Sequence, residues 1–225
     1  MGTSSRTISV KVLTLVGMPG SGKSIIAERL SSLFDMTVLD SDTFIQAACK
    51  ASINQIFKER EEPYFRALES FVVMELTRII KNETSSHSKI DEEHKKQLTS
   101  LIEQSFNPGQ NEPLVLSTGG GMPIHNNHMT SLKELGMVAY LESPAHVLNS
   151  RLNDDQTRPL LMASNNKSME PINEKVNKER LGRITALLSE REYVYRQAHI
   201  SIDTTFHSAD EIAKELFSLF KSWKM

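Results

Sequence analysis

The chain has 225 residues, which is enough for one α/β domain with a full hydrophobic core. Its 26 Lys and Arg residues nearly balance its 28 Asp and Glu residues, so no basic excess indicates nucleic-acid binding. One cysteine excludes a disulfide framework, and no apolar run approaches the roughly 20 residues that span a bilayer, so we expect a cytoplasmic monomer that binds no membrane.

Residues 8–16 are strongly apolar and predict a first, buried strand of a parallel sheet. The loop that follows, G-M-P-G-S-G-K-S at residues 17–24, fits the phosphate-binding pattern G-x-x-x-x-G-K-[ST]. In that pattern backbone amides converge on an anion, the lysine reaches the β- and γ-phosphates, and the hydroxyl binds Mg²⁺. Apolar residues at helical spacing then predict a helix that ends near Phe34. The candidate ATP contacts are Gly20, Ser21, Gly22, Lys23, Ser24 and Ile25.

A short second strand is predicted at residues 37–39, and Asp40 and Asp42 follow it. Because ligands bind beyond the carboxyl ends of parallel strands, both carboxylates should lie on the edge that carries the phosphate loop. Helix capping is their alternative role. Helices are predicted at residues 44–49, 52–58 and 64–80. On the last of these, Arg66 and Glu69 are one turn apart and can form an ion pair, in a site or on the surface.

Residues 82–112 are polar and charged, and we expect a solvated surface insertion with one amphipathic helix at 91–104. A third strand at 114–116 then runs into Gly119, Gly120 and Gly121. Three consecutive glycines let a ligand approach the backbone closely, although a plain turn would use them as well. His125 and His128 are expected in a loop, and they lack the spacing of metal ligands.

The rest of the chain continues the alternation of strands and helices. We predict strands at 137–142 and 199–203, and helices at 144–152, 174–198 and 209–223. The polar segment 153–173 is long for a connection, which is typical of a lid. This alternation predicts an α/β fold with a parallel, doubly wound, five-stranded sheet and flanking helices, in a single domain that covers residues 1–225.

Several separate motifs occur in one order along the chain. After the phosphate loop come L-D-S-D at 39–42, F-R-A-L-E at 65–69, S-T-G-G-G at 117–121, R-P-L-L at 158–161 and R-E-Y-V-Y at 191–195. This set closely resembles the shikimate kinase family, over most of the chain apart from the insertion. The resemblance implies Mg²⁺-dependent transfer of the γ-phosphoryl group of ATP to the 3-hydroxyl of shikimate, in the aromatic amino acid pathway. It also implies a nucleoside-monophosphate-kinase-like fold with a substrate-binding subdomain at 44–80 and a lid at 153–173.

On the nucleotide side, the resemblance implies that Ser24 and Asp40 form the Mg²⁺ site. Lys23 and Arg158 would stabilise the transferring phosphoryl group, and Arg151 would lie near the adenine. These roles agree with the chemistry of phosphoryl transfer, in which positive charge must neutralise the equatorial oxygens of the transferred group.

On the substrate side, the resemblance implies that Arg66 and Arg191 hold the carboxylate of shikimate, with Glu69 orienting Arg66. A planar guanidinium suits this task because it can donate two parallel hydrogen bonds to a carboxylate. Asp42 would bind the reacting hydroxyl and serve as the base. A free Asp has a pKa of about 4, so its main task would be to orient that hydroxyl. The glycines at 119–121 would offer backbone N–H groups to shikimate.

The chain departs from the family pattern at three positions. Ile25 stands where Thr is common, and Lys50 and Glu61 stand where Gly is usual, so we expect differently shaped loops beside the substrate subdomain. Two other functions stay open at this point. One is a kinase of the same fold for another small hydroxy or sugar acid such as gluconate, and the other is a non-catalytic ATP-binding module.

Overall fold

The computed structural model describes residues 11–81, 89–106, 112–152 and 174–224. Within these residues one sheet has five strands, all parallel, in the order β2-β3-β1-β4-β5. The prediction of a parallel five-stranded sheet is therefore confirmed. The strands are β1 (Val12–Val16), β2 (Thr37–Asp40), β3 (Leu114–Ser117), β4 (Gly136–Glu142) and β5 (Ile200–Asp203).

Helices cover both faces of the sheet, and a 3₁₀ turn at Met122–Ile124 follows β3. The helices of the described residues are α1 (Lys23–Phe34), α2 (Ser41–Cys49), α3 (Ile53–Lys81), α4 (Glu92–Ser105), α5 (His128–Leu135), α6 (Ala145–Arg151), α7 (Glu174–Tyr195) and α8 (Ala209–Ser222). None of the described helices is long and apolar enough to cross a membrane.

The core forms on both faces because side chains alternate along each strand. On β1, Leu13 and Leu15 pack with the apolar stripes of α1 and α8 on one face. Val12 and Val16 point to the opposite face, where α2, α3 and α7 contribute to a larger cluster. A strand buried on both faces explains why the sequence of β1 is apolar throughout.

Helix α2 begins at Ser41, three residues before the predicted start, because Asp40 caps it. One oxygen of Asp40 accepts a hydrogen bond from the Thr43 amide at 3.1 Å. This arrangement is an ordinary N-cap, in which a carboxylate satisfies an otherwise orphaned amide. As a consequence Asp42 lies in the first turn of a helix rather than in a loop.

The two helices predicted at 52–58 and 64–80 are the two halves of α3. They are separated at Glu61, whose φ of 63° and ψ of 168° are not helical. Pro63 follows in the first turn of the second half, where its missing N–H leaves no hydrogen bond unmade. Lys50 also has a positive φ, of 50°. Both residues therefore adopt backbone conformations that glycine adopts easily, and the expected change of loop shape stays a prediction.

The insertion contains the predicted amphipathic helix, as α4, and the apolar side of this helix is buried rather than solvated. Leu98 and Ile102 of α4 are fully buried, and Ile90 and Phe106 at its two ends are nearly so. This apolar side joins the core cluster that includes residues of α2 and α3. Sequence reasoning underestimated the segment because its few apolar residues all fall on one helical face.

Helix α5 was not predicted, and His128 is its first residue rather than part of a loop. The His128 side chain is buried, and its Nδ1 donates to the carbonyl of Met122 at 2.8 Å. Its Nε2 lies 2.9 Å from Ser70 Oγ on α3. His128 therefore ties the 3₁₀ turn after β3 to the helix that carries Arg66.

Candidate active site

The loops after β1, β2 and β3 meet at one edge of the sheet. Because β3 lies between β1 and β2, three segments become neighbours: the phosphate loop at 17–24, Asp40 at the end of β2, and the glycine loop at 118–121. The carboxyl ends of parallel strands are where open α/β sheets bind ligands. The strand order thus places the motifs of the sequence side by side.

The phosphate loop curls around the ammonium group of Lys23. Gly20 and Gly22 have φ values of 83° and 94°, which L side chains rarely adopt, so the curl depends on glycine. Lys23 Nζ donates to the carbonyls of Gly17 and Met18, both at 2.9 Å. A positive charge is therefore held at the N-terminus of α1, which itself favours an anion.

Ser24 and Asp40 are in direct contact beside this loop. Ser24 Oγ donates to Asp40 Oδ2 at 3.2 Å, and both residues line a cavity of about 230 Å³ together with Asp42. Hydroxyl and carboxylate oxygens suit Mg²⁺, which commonly takes one or two protein carboxylates and completes its shell with phosphates and water. The residues present therefore fit a Mg²⁺ site. The other oxygen of Asp40 caps α2, so the capping role considered from sequence is observed and is compatible with a metal site at the first oxygen.

The remaining phosphate-loop candidates differ in exposure. Ser21 is buried within the loop, whereas the Ile25 side chain is 58% exposed on α1. The contribution of each to ATP binding stays a prediction.

Arg151 lies at the carboxyl end of β5, on the other side of the phosphate loop from Asp40. Its guanidinium donates to the Thr204 carbonyl at 2.6 Å and to the Thr204 hydroxyl at 3.0 Å. The next residue, Leu152, packs so closely on Gly20 that a Cβ there would come within 2.9 Å of it. Arg151 is thus held near the nucleotide loop, and its expected place near the adenine stays a prediction. Arg158 and the predicted lid at 153–173 lie outside the described residues.

Arg66 and Glu69 form a buried ion pair, so the alternative of a solvated surface pair is wrong. Arg66 is 8% exposed and Glu69 is fully buried, and Arg66 Nη1 donates to Glu69 Oε2 at 2.7 Å. Glu62, one turn earlier on α3, accepts from Arg66 Nε at 3.0 Å and from Nη2 at 2.7 Å. The Phe65 ring lies 5.4 Å from the guanidinium carbon. The orientation of Arg66 is therefore well determined.

Burial raises the pKa of Glu69 to about 7, an effect that Arg66 and its hydrogen bond only partly offset. The Asp42 carboxylate raises this pKa further, and Arg191 lowers it. These influences mean that Asp42, Arg66 and Arg191, which come from three separate motifs, all lie around one buried carboxyl group.

The glycine loop is packed directly against these side chains. A Cβ on Gly119 would collide with Asp42 Oδ1, and one on Gly121 would lie 2.5 Å from Arg66 Nη1. A Cβ on Gly120 would lie 2.8 Å from the Pro19 side chain in the phosphate loop. The three glycines therefore allow the acidic residue, the arginine and the phosphate loop to approach one another. The Gly119 amide already donates to Ser41 Oγ at 2.9 Å, so this amide is used within the protein.

Arg191 reaches the same region from α7. It is 9% exposed, and its positive charge partly offsets the raised pKa of the Tyr195 hydroxyl, one turn further along the helix. Sequence reasoning did not assign a role to Tyr195 or to Glu62. The i,i+4 spacing of Glu62 and Arg66 was a usable signal for the latter. The contacts of Tyr195 with distant segments had no such local signal.

The chain was compared with known proteins. The family model described as shikimate kinase matches residues 19–82 and 83–221. A shikimate kinase from a Sulfurihydrogenibium species is 29% identical over 212 residues, which cover 94% of this chain and 99% of that protein.

Solved structures of shikimate kinases are also similar to this chain in fold and sequence. The shikimate kinase from Acinetobacter baumannii in complex with shikimate has 27% identity and a TM-score of 0.70, with 98% of each chain covered. The shikimate kinase from Aquifex aeolicus has 25% identity and a TM-score of 0.61, with 93% of this chain and 96% of that chain covered. With a matching family model over most of its length and these relatives, the chain belongs to the shikimate kinase family.

Proposed function

We propose that this chain transfers the γ-phosphoryl group of ATP to the 3-hydroxyl of shikimate, giving shikimate 3-phosphate. The observation that carries the proposal is the convergence of two buried arginines, Arg66 and Arg191, on Glu69 beside Asp42. A phosphate loop alone would suit any nucleotide-binding protein of this fold. A pair of buried arginines next to it calls for a small acceptor that carries a carboxylate.

ATP occupies the phosphate loop in this proposal, with its phosphates at the amides of residues 20–24. Lys23 exchanges its two carbonyl partners in the loop for phosphate oxygens. Ser24 and Asp40 would hold Mg²⁺, which when bound neutralises charge on the phosphate oxygens. Arg151 would bind near the adenine, and Arg158 would add positive charge at the transferring group.

Shikimate lies on the other side of the glycine loop. Arg66 and Arg191 bind its carboxylate, and Glu69 together with Glu62 keeps the Arg66 guanidinium in place. Asp42 accepts a hydrogen bond from the reacting hydroxyl and orients it toward the phosphorus. In a loose transition state the proton leaves late, so orientation contributes more than basicity.

An assay of ADP release with purified protein tests the proposal. Release should depend on shikimate and on Mg²⁺, and Arg66→Ala should raise the KM for shikimate at least tenfold because charge-assisted hydrogen bonds are lost. Arg78→Ala is the matched control, since Arg78 lies on the same helix but pairs with Glu75 and Glu103. Asp42→Asn should lower kcat.

Two outcomes would overturn the proposal. One is normal ATP binding without stimulation by millimolar shikimate, and the other is faster turnover of gluconate or another acid in a substrate panel. That the enzyme is a cytoplasmic monomer stays a prediction from composition, which size-exclusion chromatography and cell fractionation can check.

A further inference from the structure

Tyr195, the last residue of α7, is fully buried between three segments of the site. Its hydroxyl donates to the carbonyl of Gly120 in the glycine loop. It lies 3.9 Å from the sulfur of Met18 in the phosphate loop, and the positive charge of Arg191 partly offsets its raised pKa. One phenol oxygen therefore contacts the segments that hold the nucleotide and the acceptor in the proposed function.

We propose that Tyr195 is a positioning residue, which fixes the Gly120–Gly121 peptide for acceptor binding. A phenol hydroxyl donates one hydrogen bond, and here the acceptor is the Gly120 carbonyl. The direction of this hydrogen bond is determined, because a carbonyl oxygen can only accept.

The effect on the glycine loop follows from the planarity of the peptide bond. The Gly120 carbonyl and the Gly121 N–H belong to the same plane and point in opposite directions. When Tyr195 holds the carbonyl, the Gly121 N–H must point away from the phenol. Gly121 itself lies against the guanidinium of Arg66, which the proposed function assigns to the acceptor carboxylate.

The phenol can do this because its ring is itself immobilised. It stacks on Tyr140 of β4, with ring centroids 5.3 Å apart and planes 24° apart. Burial raises the pKa of the Tyr195 hydroxyl to about 12, so the group remains a neutral donor at physiological pH. Tyr140 is anchored in a central strand of the sheet, next to β1.

The test compares Tyr195→Phe with Tyr140→Phe. Each variant removes one buried hydroxyl from the same stacked pair and keeps both rings, but Tyr140 is not placed at the site. Because this inference rests on the proposed function, the first readout is the KM for shikimate. It should rise about tenfold in Tyr195→Phe, as expected for the loss of one buried hydrogen bond to the glycine loop, with kcat and the KM for ATP changed less than twofold. In Tyr140→Phe all three constants should stay close to the wild type.

The second readout does not require activity. Amide hydrogen exchange in residues 117–124 of the unliganded protein should accelerate in Tyr195→Phe and not in Tyr140→Phe. Equal KM values and equal exchange in the two variants would overturn the inference and leave Tyr195 as an ordinary core residue. If the wild type does not phosphorylate shikimate, the proposed function fails, and the exchange comparison alone decides the role of Tyr195.

Discussion

Replacement of Glu61 by glycine should stabilise this protein, although glycine usually weakens a helix. Glu61 lies within α3 with φ 63° and ψ 168°, a region that is populated almost only by glycine. Its side chain is exposed, so the substitution removes no buried contact. The strained backbone of a non-glycine residue there costs roughly 1–3 kcal/mol.

The net gain follows from two opposing terms. Relief of the strain raises the free energy of unfolding by roughly 1–3 kcal/mol, and the greater backbone entropy of glycine in the unfolded chain lowers it by about 0.5–1 kcal/mol. Glu61→Gly should therefore raise the free energy of unfolding by up to about 2.5 kcal/mol. For a chain of this size each kcal/mol corresponds to about 2–4 °C in Tm.

Urea-induced unfolding, followed by circular dichroism, measures the change. Glu59→Gly is the matched control, because Glu59 is also exposed on α3 and lies before the break, in helical backbone. That control should lose about 1 kcal/mol, the ordinary cost of glycine in a helix. The two substitutions should thus have opposite signs. A loss of stability in Glu61→Gly that equals the loss in Glu59→Gly would refute the reasoning from backbone strain.

Three further predictions follow from the site and the core. Gly121→Ala should raise the KM for shikimate at least tenfold and leave the Kd for ATP unchanged, because the new methyl group would lie 2.5 Å from Arg66 Nη1. Steady-state kinetics measure this change, and an unaltered KM would contradict the prediction. The pKa of the Glu69 carboxyl is about 7 in the folded protein, above its ordinary 4.5. Between pH 4.5 and pH 7 the folded state therefore keeps the carboxyl proton and the unfolded state loses it. The free energy of unfolding of the wild type consequently falls as the pH rises through this range. Glu69→Gln should therefore gain stability relative to the wild type from pH 5 to pH 8 in urea unfolding, and parallel pH curves would argue against the raised pKa. Leu98→Ala should lower the free energy of unfolding by about 2–5 kcal/mol, since Leu98 is fully buried, whereas a change below about 0.5 kcal/mol would mean that α4 is solvated after all.

The pattern and spacing of residues in the sequence were sufficient to predict the local features of this protein. The phosphate loop could be identified because its glycines, Lys23 and Ser24 act through the backbone of one short segment. The parallel sheet followed from the alternation of apolar strands with amphipathic helices. Helix ends were less accurate, as at Ser41, since a single capping hydrogen bond from the Thr43 amide to Asp40 moved the start of α2 by three residues.

The family motifs identified most of the candidate residues, but they did not show whether those residues are buried or what packs against them. Whether Arg66 and Glu69 are buried depends on what packs over α3, and that is decided by segments far along the chain. The same holds for α4, whose polar composition resembles a surface segment while its apolar face completes the core. Burial then sets the electrostatics, including the raised pKa of Glu69.

Sequence by itself determined the class of fold, the nucleotide loop and the identity of the arginine and carboxylate candidates, because these depend on residues close together in the chain. Only the tertiary structure decided which of them meet. Tyr195 reaches Gly120 across 75 residues of sequence, and Asp42 meets Gly119 only because β3 is inserted between β1 and β2. Such contacts depend on strand order and packing, which no local periodicity encodes.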